Sequence, residues 1–195
     1  MEKKNKHNFT TFYSLSKFNN IEVGNYSYGS LNVYSYNNSN EGLKIGSYVS
    51  IAPEVKFILG GGEHHPDFLL NNPIRINFNA SQKEKDNTTK GPIIIEDDVW
   101  ICTGATILSG VTIGRGSIIG AGSVVSKNVP PFSVFLGNKV VRQRFNSHVI
   151  TKLMRLKYEN LTISNFHNYL ELLYTNLNEN EQLVDKIFEQ YSELF

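Results

Sequence analysis

At 195 residues with a formal net charge of +1, the chain suits one domain with a modest appendage and shows no broad basic footprint for nucleic acid. Its one cysteine, Cys102, can form no internal disulfide, which suits a reducing, cytoplasmic setting. The basic N-terminus lacks the apolar run of a signal peptide, and no stretch reaches the length of a membrane span.

Residues 1–20 are mostly polar, with Phe9, Phe12 and Phe18 scattered among them, and are expected along the outside of the domain. From Ile21 a six-residue beat begins faintly with Val23-Gly24 and Tyr26-Ser27-Tyr28-Gly29. A polar, tyrosine-rich segment, Val33 to Gly42, interrupts it. Tyr26, Tyr28, Tyr34 and Tyr36 fit two roles equally well: a half-buried β surface, or an aromatic wall that stacks on a sugar ring or another flat acceptor. The beat resumes at Ile45-Gly46, Ile51-Ala52 and Phe57-Ile58, and then breaks. Phe57 and Ile95 are separated by an interval that is no multiple of six, so the chain between them leaves the repeat. Glycines, Pro66 and Pro73 punctuate this stretch, which predicts an extruded loop over about residues 60–90.

From Ile95 to Val129 the repeat is regular. Ile95, Ile101, Ile107, Ile113, Ile119 and Val125 form one column, and Val99, Ala105, Val111, Ser117, Ser123 and Val129 form a second, four residues behind. A helix would place apolar residues three and four apart, and a two-sided strand would alternate; neither matches. A period of six marks a hexapeptide β-helix, a triangular coil of short strands. Three hexads per coil stack residues eighteen apart, so Ile95 should lie over Ile113, Ile101 over Ile119 and Ile107 over Val125. Pro130 and Pro131 end regular pairing, and Lys139, Arg142 and Arg144 form a basic cluster. The last fifty residues change to a helical period, with apolar faces at Val149/Ile150/Leu153/Met154, Phe166/Tyr169/Leu170/Leu173 and Leu183/Val184/Ile187/Phe188/Tyr191. Ser147 and Ser164 stand where N-caps are expected, and the helices are expected to cover an end of the coil. The expected division is a β-helix domain over 1–145 and a helical extension over 146–195.

Of five histidines, His64 and His65 stand together after three glycines, at the neck of the loop. A neutral imidazole can take a proton from a hydroxyl, so this pair is the candidate general base. Adjacent histidines hold one tetrahedral metal poorly, and no third His or Cys lies at ligand spacing, so no metal is expected.

The repeat, together with GGGEHHPDFLLNNPI and DDVWICTGATILSGVTIGRGSIIGAGSVVSKNVPP, resembles the hexapeptide-repeat acyltransferases. It is most similar there to the xenobiotic acetyltransferase group, which includes chloramphenicol and streptogramin acetyltransferases and many sugar O-acetyltransferases of bacterial surface polysaccharides. The resemblance runs from about Ile21 to Tyr158. It implies a homotrimer of left-handed parallel β-helices with active sites between subunits and acetyl-CoA as co-substrate. The group's loop reads G-G-x-H with Asp three and Pro nine residues on, which selects His64 as the base, with Asp67 and Pro73 in register. Trp100 matches the tryptophan that lines the thioester arm, and Thr103, Ala121, Ser126 and Lys127 match positions that touch coenzyme A. Cys102 replaces the usual glycine after VWI. The tail reads GNKVVRQRF, two residues short of the group's pattern and without its Pro-Ala; Arg142 is its expected phosphate ligand.

The expected activity is transfer of acetyl from acetyl-CoA to a hydroxyl of a sugar in a surface polysaccharide or its precursor. The alternatives are an antibiotic acceptor (chloramphenicol or a streptogramin), a catalytically idle β-helix serving as a binding or assembly module, and a trimeric zinc hydratase of the same fold.

Overall fold

A computed structural model describes residues 9–12, 20–36, 38–60, 64–65, 67–78, 81, 83–86, 88–178 and 182–195. It comprises two compact units, Met1–Val141 and Arg142–Phe195.

The first unit is a parallel coil of short strands: β1 (Phe9–Phe12), β2 (Ile21–Val23), β3 (Tyr28–Tyr34), β4 (Leu43–Ile45), β5 (Ser50–Ile51), β6 (Lys56–Ile58), β7 (Ile93–Ile95), β8 (Trp100–Ile101), β9 (Thr106–Leu108), β10 (Thr112–Ile113), β11 (Ile118–Ile119), β12 (Val124–Val125) and β13 (Ser133–Leu136). Strand β14 (Lys139–Gln143) borders β13. Three faces repeat in chain order. The first carries β2, β4, β7 and β10; the second carries the start of β3, then β5, β8, β11 and β13; the third carries the end of β3, then β6, β9 and β12. The register agrees with the eighteen-residue stack: Ile113 pairs with Ile95, Ile119 with Ile101 and Val125 with Ile107. Both sequence columns point inward and are buried, including Ser117 and Ser123 at the corners. Ser117 Oγ donates to Pro130 O at 2.9 Å, and Ser123 Oγ accepts from the Gly137 N–H at 3.0 Å. A small side chain therefore turns the corner and also satisfies a backbone group there.

Most corners bend through a left-handed residue. On the first-to-second corner these are Tyr26, Tyr48, Asp98, Gly116 and Phe132; on the second-to-third they are Glu54, Gly104 and Gly122. Their N–H groups bond to the corner of the coil before, as Tyr48 to Asn25 O, Asp98 to Ser47 O and Gly122 to Thr103 O, each at 2.9 Å.

Two insertions interrupt the stack. Val23 pairs with Ile45, twenty-two residues on, because the chain detours after Tyr34. The break comes later than the sequence suggests, since β3 runs unbroken through Val33 and Tyr34. The buried Glu41 carboxylate closes the detour, accepting from Ser35 Oγ and from the Tyr36 N–H. Ile45 in turn pairs with Ile95, fifty residues on. Between β6 and β7 the described residues hold the short helix α1 (Ile74–Asn77) and a 3-10 turn, Lys83–Asp86, and no strand.

The N-terminal segment departs from expectation. Strand β1 pairs with β3 over four residues and Thr10 is buried, so this piece occupies a sheet edge that would otherwise leave backbone groups unpaired. Residues 1–8 and 13–19, Phe18 among them, lie outside the described residues.

The second unit holds α2 (Ser147–Leu153), α3 (Leu170–Leu173) and α4 (Leu183–Gln190) around buried Val149, Leu161, Val184, Leu194 and Phe195. The first and third predicted faces fall on α2 and α4 and their ends, whereas the second spans a 3-10 turn and α3 and leaves Leu170 and Leu173 exposed; the predicted caps do not cap. Asn146 caps α2, its side chain accepting from the Val149 N–H at 2.9 Å, and Ser147 is already helical. At the second site Asn165 precedes a 3-10 turn, Phe166–Tyr169, and its side chain accepts from the Thr162 N–H at 2.8 Å. At α2 an asparagine amide thus takes the free N–H in place of the neighbouring serine, whereas the 3-10 turn Phe166–Tyr169 has no side-chain cap. His148 and Lys152 of α2 both meet the Asp185 carboxylate of α4, at 3.0 and 3.2 Å.

Candidate active site

The chemistry-bearing residues fall on the stretch between β6 and β7 and on the outer surface of the coil. His64 is exposed, and its Nδ1 lies 2.5 Å from Asn71 O. A carbonyl can only accept, so the proton sits on Nδ1 and the Nε2 lone pair is left free. His65 differs: its Nε2 donates to Lys85 O at 3.0 Å, and its ring stacks on Phe68 with centroids 4.4 Å apart. Both histidines line an open depression of about 210 Å³ with Phe68, Asn71, Pro73 and Asp86. Asp86 accepts from the Arg75 N–H at 3.0 Å and from Arg75 Nη1 at 2.6 Å. Partial burial works to raise the Asp86 pKa, but the Arg75 hydrogen bonds and the charges of Arg75 and His65 outweigh it and hold the carboxyl below its usual range. Asp67 is exposed. Gly61, Gly62, Glu63 and Pro66 of the loop motif lie outside the described residues.

On the coil, Trp100 faces outward from β8 and is 52% exposed, although an indole would ordinarily be well covered. Thr103 and Ala121, both exposed, stack on the second-to-third corner just beyond it, joined through the Gly122 N–H to Thr103 O bond. This corner is open: a Cβ at Gly122 would meet nothing within 4 Å, and one at Gly104 only Gly122 N at 4.0 Å. Ser126 and Lys127 are exposed one corner further on, past β12, whose outward Val124 is 46% exposed. Arg142 belongs to the second unit, where its Nη1 donates to Gln143 O at 3.1 Å. Burial pushes the Cys102 thiol pKa up, which keeps it protonated and a poor nucleophile.

The four tyrosines do not form one wall within the chain. Tyr28 stands in an outward column of the second face between Phe9 and Ser50, and Ser50 pairs with Trp100. At ~4.8 Å per coil the Tyr28 and Trp100 rings stand about 10 Å apart along the axis. Tyr34 leaves the third face, with Tyr36 exposed beyond it. Tyr26 sits on the first-to-second corner, its ring 5.0 Å from that of Tyr48. Tyr48 escaped the sequence reading, although it repeats the position of Tyr26 one coil later. Burial, and then the neighbouring Tyr26, push its pKa up to about 12.

Among the described residues no three His, Cys, Asp or Glu side chains gather as metal ligands do, and no helix is long and apolar enough to cross a membrane.

The family model for bacterial transferase hexapeptide (six repeats) matches residues 92–127. A probable macrolide acetyltransferase of Lysinibacillus sphaericus is 33% identical over 138 residues, covering 67% of this chain and 76% of the relative. A chloramphenicol acetyltransferase of Agrobacterium fabrum is 32% identical over 158 residues, covering 71% and 75%. Among solved structures, a hexapeptide-repeat acetyltransferase of Vibrio cholerae complexed with acetyl coenzyme A aligns with a TM-score of 0.50 at 29% identity, covering 66% of this chain and 62% of that one. The chain thus spans just over three fifths of that structure's length. With the repeat, its register and these relatives in agreement, the chain belongs to the hexapeptide-repeat acetyltransferases.

Proposed function

We propose that the protein transfers acetyl from acetyl-CoA directly to an acceptor hydroxyl, with His64 as general base, on a left-handed β-helix assembled as a homotrimer. The observation that carries this reading is the Asn71 carbonyl on His64 Nδ1, which leaves Nε2 as a proton acceptor on a residue that lines an open depression. His64 Nε2 takes the hydroxyl proton as the oxygen forms its bond to the acetyl carbonyl carbon. The bond from that carbon to sulfur breaks, and the imidazolium returns the proton to the departing thiolate, giving the acetyl ester and free CoA thiol. A backbone N–H stabilises the developing oxyanion. Trp100, Thr103 and Ala121 line the thioester arm, while Ser126 and Lys127 serve the nucleotide end and its phosphates. Asp67 helps to order the loop. The lone, protonated thiol suits the cytoplasm.

For the acceptor we favour a sugar hydroxyl of a surface polysaccharide or its precursor, with the tyrosines at Tyr26, Tyr28, Tyr34 and Tyr36 as stacking surfaces. Tyr28 and Trp100 share one outward column, as a ledge for a sugar ring requires. The two drug-acetylating relatives favour a second reading, an antibiotic hydroxyl. Incubation with acetyl-CoA and a panel of glycans, macrolides and chloramphenicol, read by thiol release and by the mass gain of one acetyl group, separates the two. His64→Ala should lower kcat about 10²–10⁴-fold, the usual contribution of a positioned base. Wild-type transfer by that variant would sink the mechanism, and absence of acetyl-CoA binding by calorimetry would favour a catalytically idle module.

A further inference from the structure

The reading of His64 as the base leaves three side chains of the same region without a role, namely His65, Arg75 and Asp86. Their hydrogen bonds connect three limbs of the stretch between β6 and β7. The 64–68 limb reaches the 71–77 limb through His64 Nδ1 to Asn71 O, and it reaches the 85–86 limb through His65 Nε2 to Lys85 O. The third side is the Asp86 carboxylate, which takes both the backbone N–H and the guanidinium of Arg75. The limb that carries Asn71 is further tightened by the Ile74 N–H to Asn72 O bond at 2.8 Å and by Asn77 Nδ2 to Asn72 Oδ1 at 2.9 Å. The three limbs thus form a closed circuit in which the one bond that sets the His64 tautomer is a single side.

We infer that Asp86 is a positioning residue for the acetyl transfer, holding α1, and with it the Asn71 carbonyl, beneath His64, while His65 fixes the remaining side of the circuit. The physical reason is geometric. The described part of the stretch holds no strand, and α1 is one turn long with no buried residue, so neither ladder pairing nor apolar packing of that helix fixes the Asn71 carbonyl. A bond that grips a backbone N–H and a guanidinium together restrains the rotation as well as the distance of that turn. Near neutral pH the carboxylate stays ionised, because Arg75 holds its pKa below the usual range. Displacement of a catalytic group by about 1 Å can cost on the order of 100-fold in rate.

This inference rests on the proposed role of His64, and the test separates the two. Asp86→Ala and Asp86→Asn are compared with wild type and His64→Ala in acetyl transfer to an acceptor identified by the panel. The His64 ring is followed by nitrogen NMR. Asp86→Ala should lower kcat about 10–100-fold with KM for acetyl-CoA within about twofold, and the Nδ1–H tautomer of His64 should lose its dominance. Asp86→Asn, which keeps an oxygen for the Arg75 N–H but loses the charge, should fall between. His65→Gln, whose amide can still donate to Lys85 O, should retain more activity than His65→Ala. Wild-type kcat and an unchanged His64 tautomer in Asp86→Ala, with His64→Ala inactive, would overturn the inference and leave the mechanism standing. Retained transfer by His64→Ala would overturn both. Since the coil has its own core, the variants should keep the wild-type thermal transition; a rise in KM for acetyl-CoA equal to the fall in kcat would mark general disruption and also count against the positioning role.

Discussion

Two neighbouring histidines differ in which ring nitrogen is engaged. His64 gives its Nδ1 proton to Asn71 O and keeps Nε2 available, whereas His65 commits Nε2 to Lys85 O and its ring to Phe68. The sequence motif could choose between them only through resemblance, because adjacent residues of one type carry no pattern of their own. Tyr48 shows what a residue's surroundings add. Its hydroxyl, held to about 12 by burial and by Tyr26, favours the neutral form in the folded state. The folded value lies above the unfolded one of about 10, so this contribution to stability is complete below about pH 10 and is lost as pH rises towards 12. Ultraviolet titration should therefore show a late tyrosine step to which Tyr48 contributes, beside Tyr169, whose pKa burial and then the Glu193 hydrogen bond also raise. Tyr48→Phe should shrink that step by one tyrosine, and Tyr26→Phe should move the Tyr48 part down; an unchanged late step in Tyr48→Phe would refute the assignment.

Among the elements, the corners discriminate most sharply. A left-handed backbone costs an L-residue roughly 1–2 kcal/mol, and the second-to-third corner avoids that cost with Gly104 and Gly122 but not with Glu54. Glu54 is exposed, so its side chain buries little that would offset the strain. Replacement by glycine loosens the unfolded chain at a cost of about 0.4–1 kcal/mol, leaving a net gain of about 0.5 kcal/mol for Glu54→Gly. A higher denaturant midpoint at unchanged slope is the expected result, and a lower one would show that Glu54 contributes packing after all. The strands themselves were legible because a six-residue period leaves little freedom: the first column of the sequence became the paired ladders, Phe57 on Ile107 on Val125 among them, while the second lies at the corners. The cap of α2 was less legible, since Asn146 and Ser147 are equally good candidates by type and are ranked only by which oxygen reaches an N–H.

For the whole molecule, the proposed assembly has a consequence that one chain cannot show. If the site is completed by a second copy, a chain lacking His64 and a chain lacking Trp100 can combine into one working site. Refolding His64→Ala together with Trp100→Ala should then restore transfer that neither variant has alone, and sedimentation should report trimers in both. Exposed Phe68, Leu69, Leu70 and Phe78, on the same stretch as His64, offer an apolar surface for such a contact. No recovered activity in a mixture that sediments as trimers would place the base and its tryptophan in the same chain.

Spacing along the chain, and motif residues in order, were enough for the coil, its eighteen-residue register, the places where the repeat is interrupted, and the family. Contacts between distant segments settled the rest: that β1 joins the edge of β3, that Tyr28 shares a column with Trp100 while Tyr34 and Tyr36 do not, and that Asp86 closes a circuit with Arg75. These depend on which residues meet after an irregular excursion of the chain. Such an excursion carries no period, so where it returns is set by hydrogen bonds between its limbs.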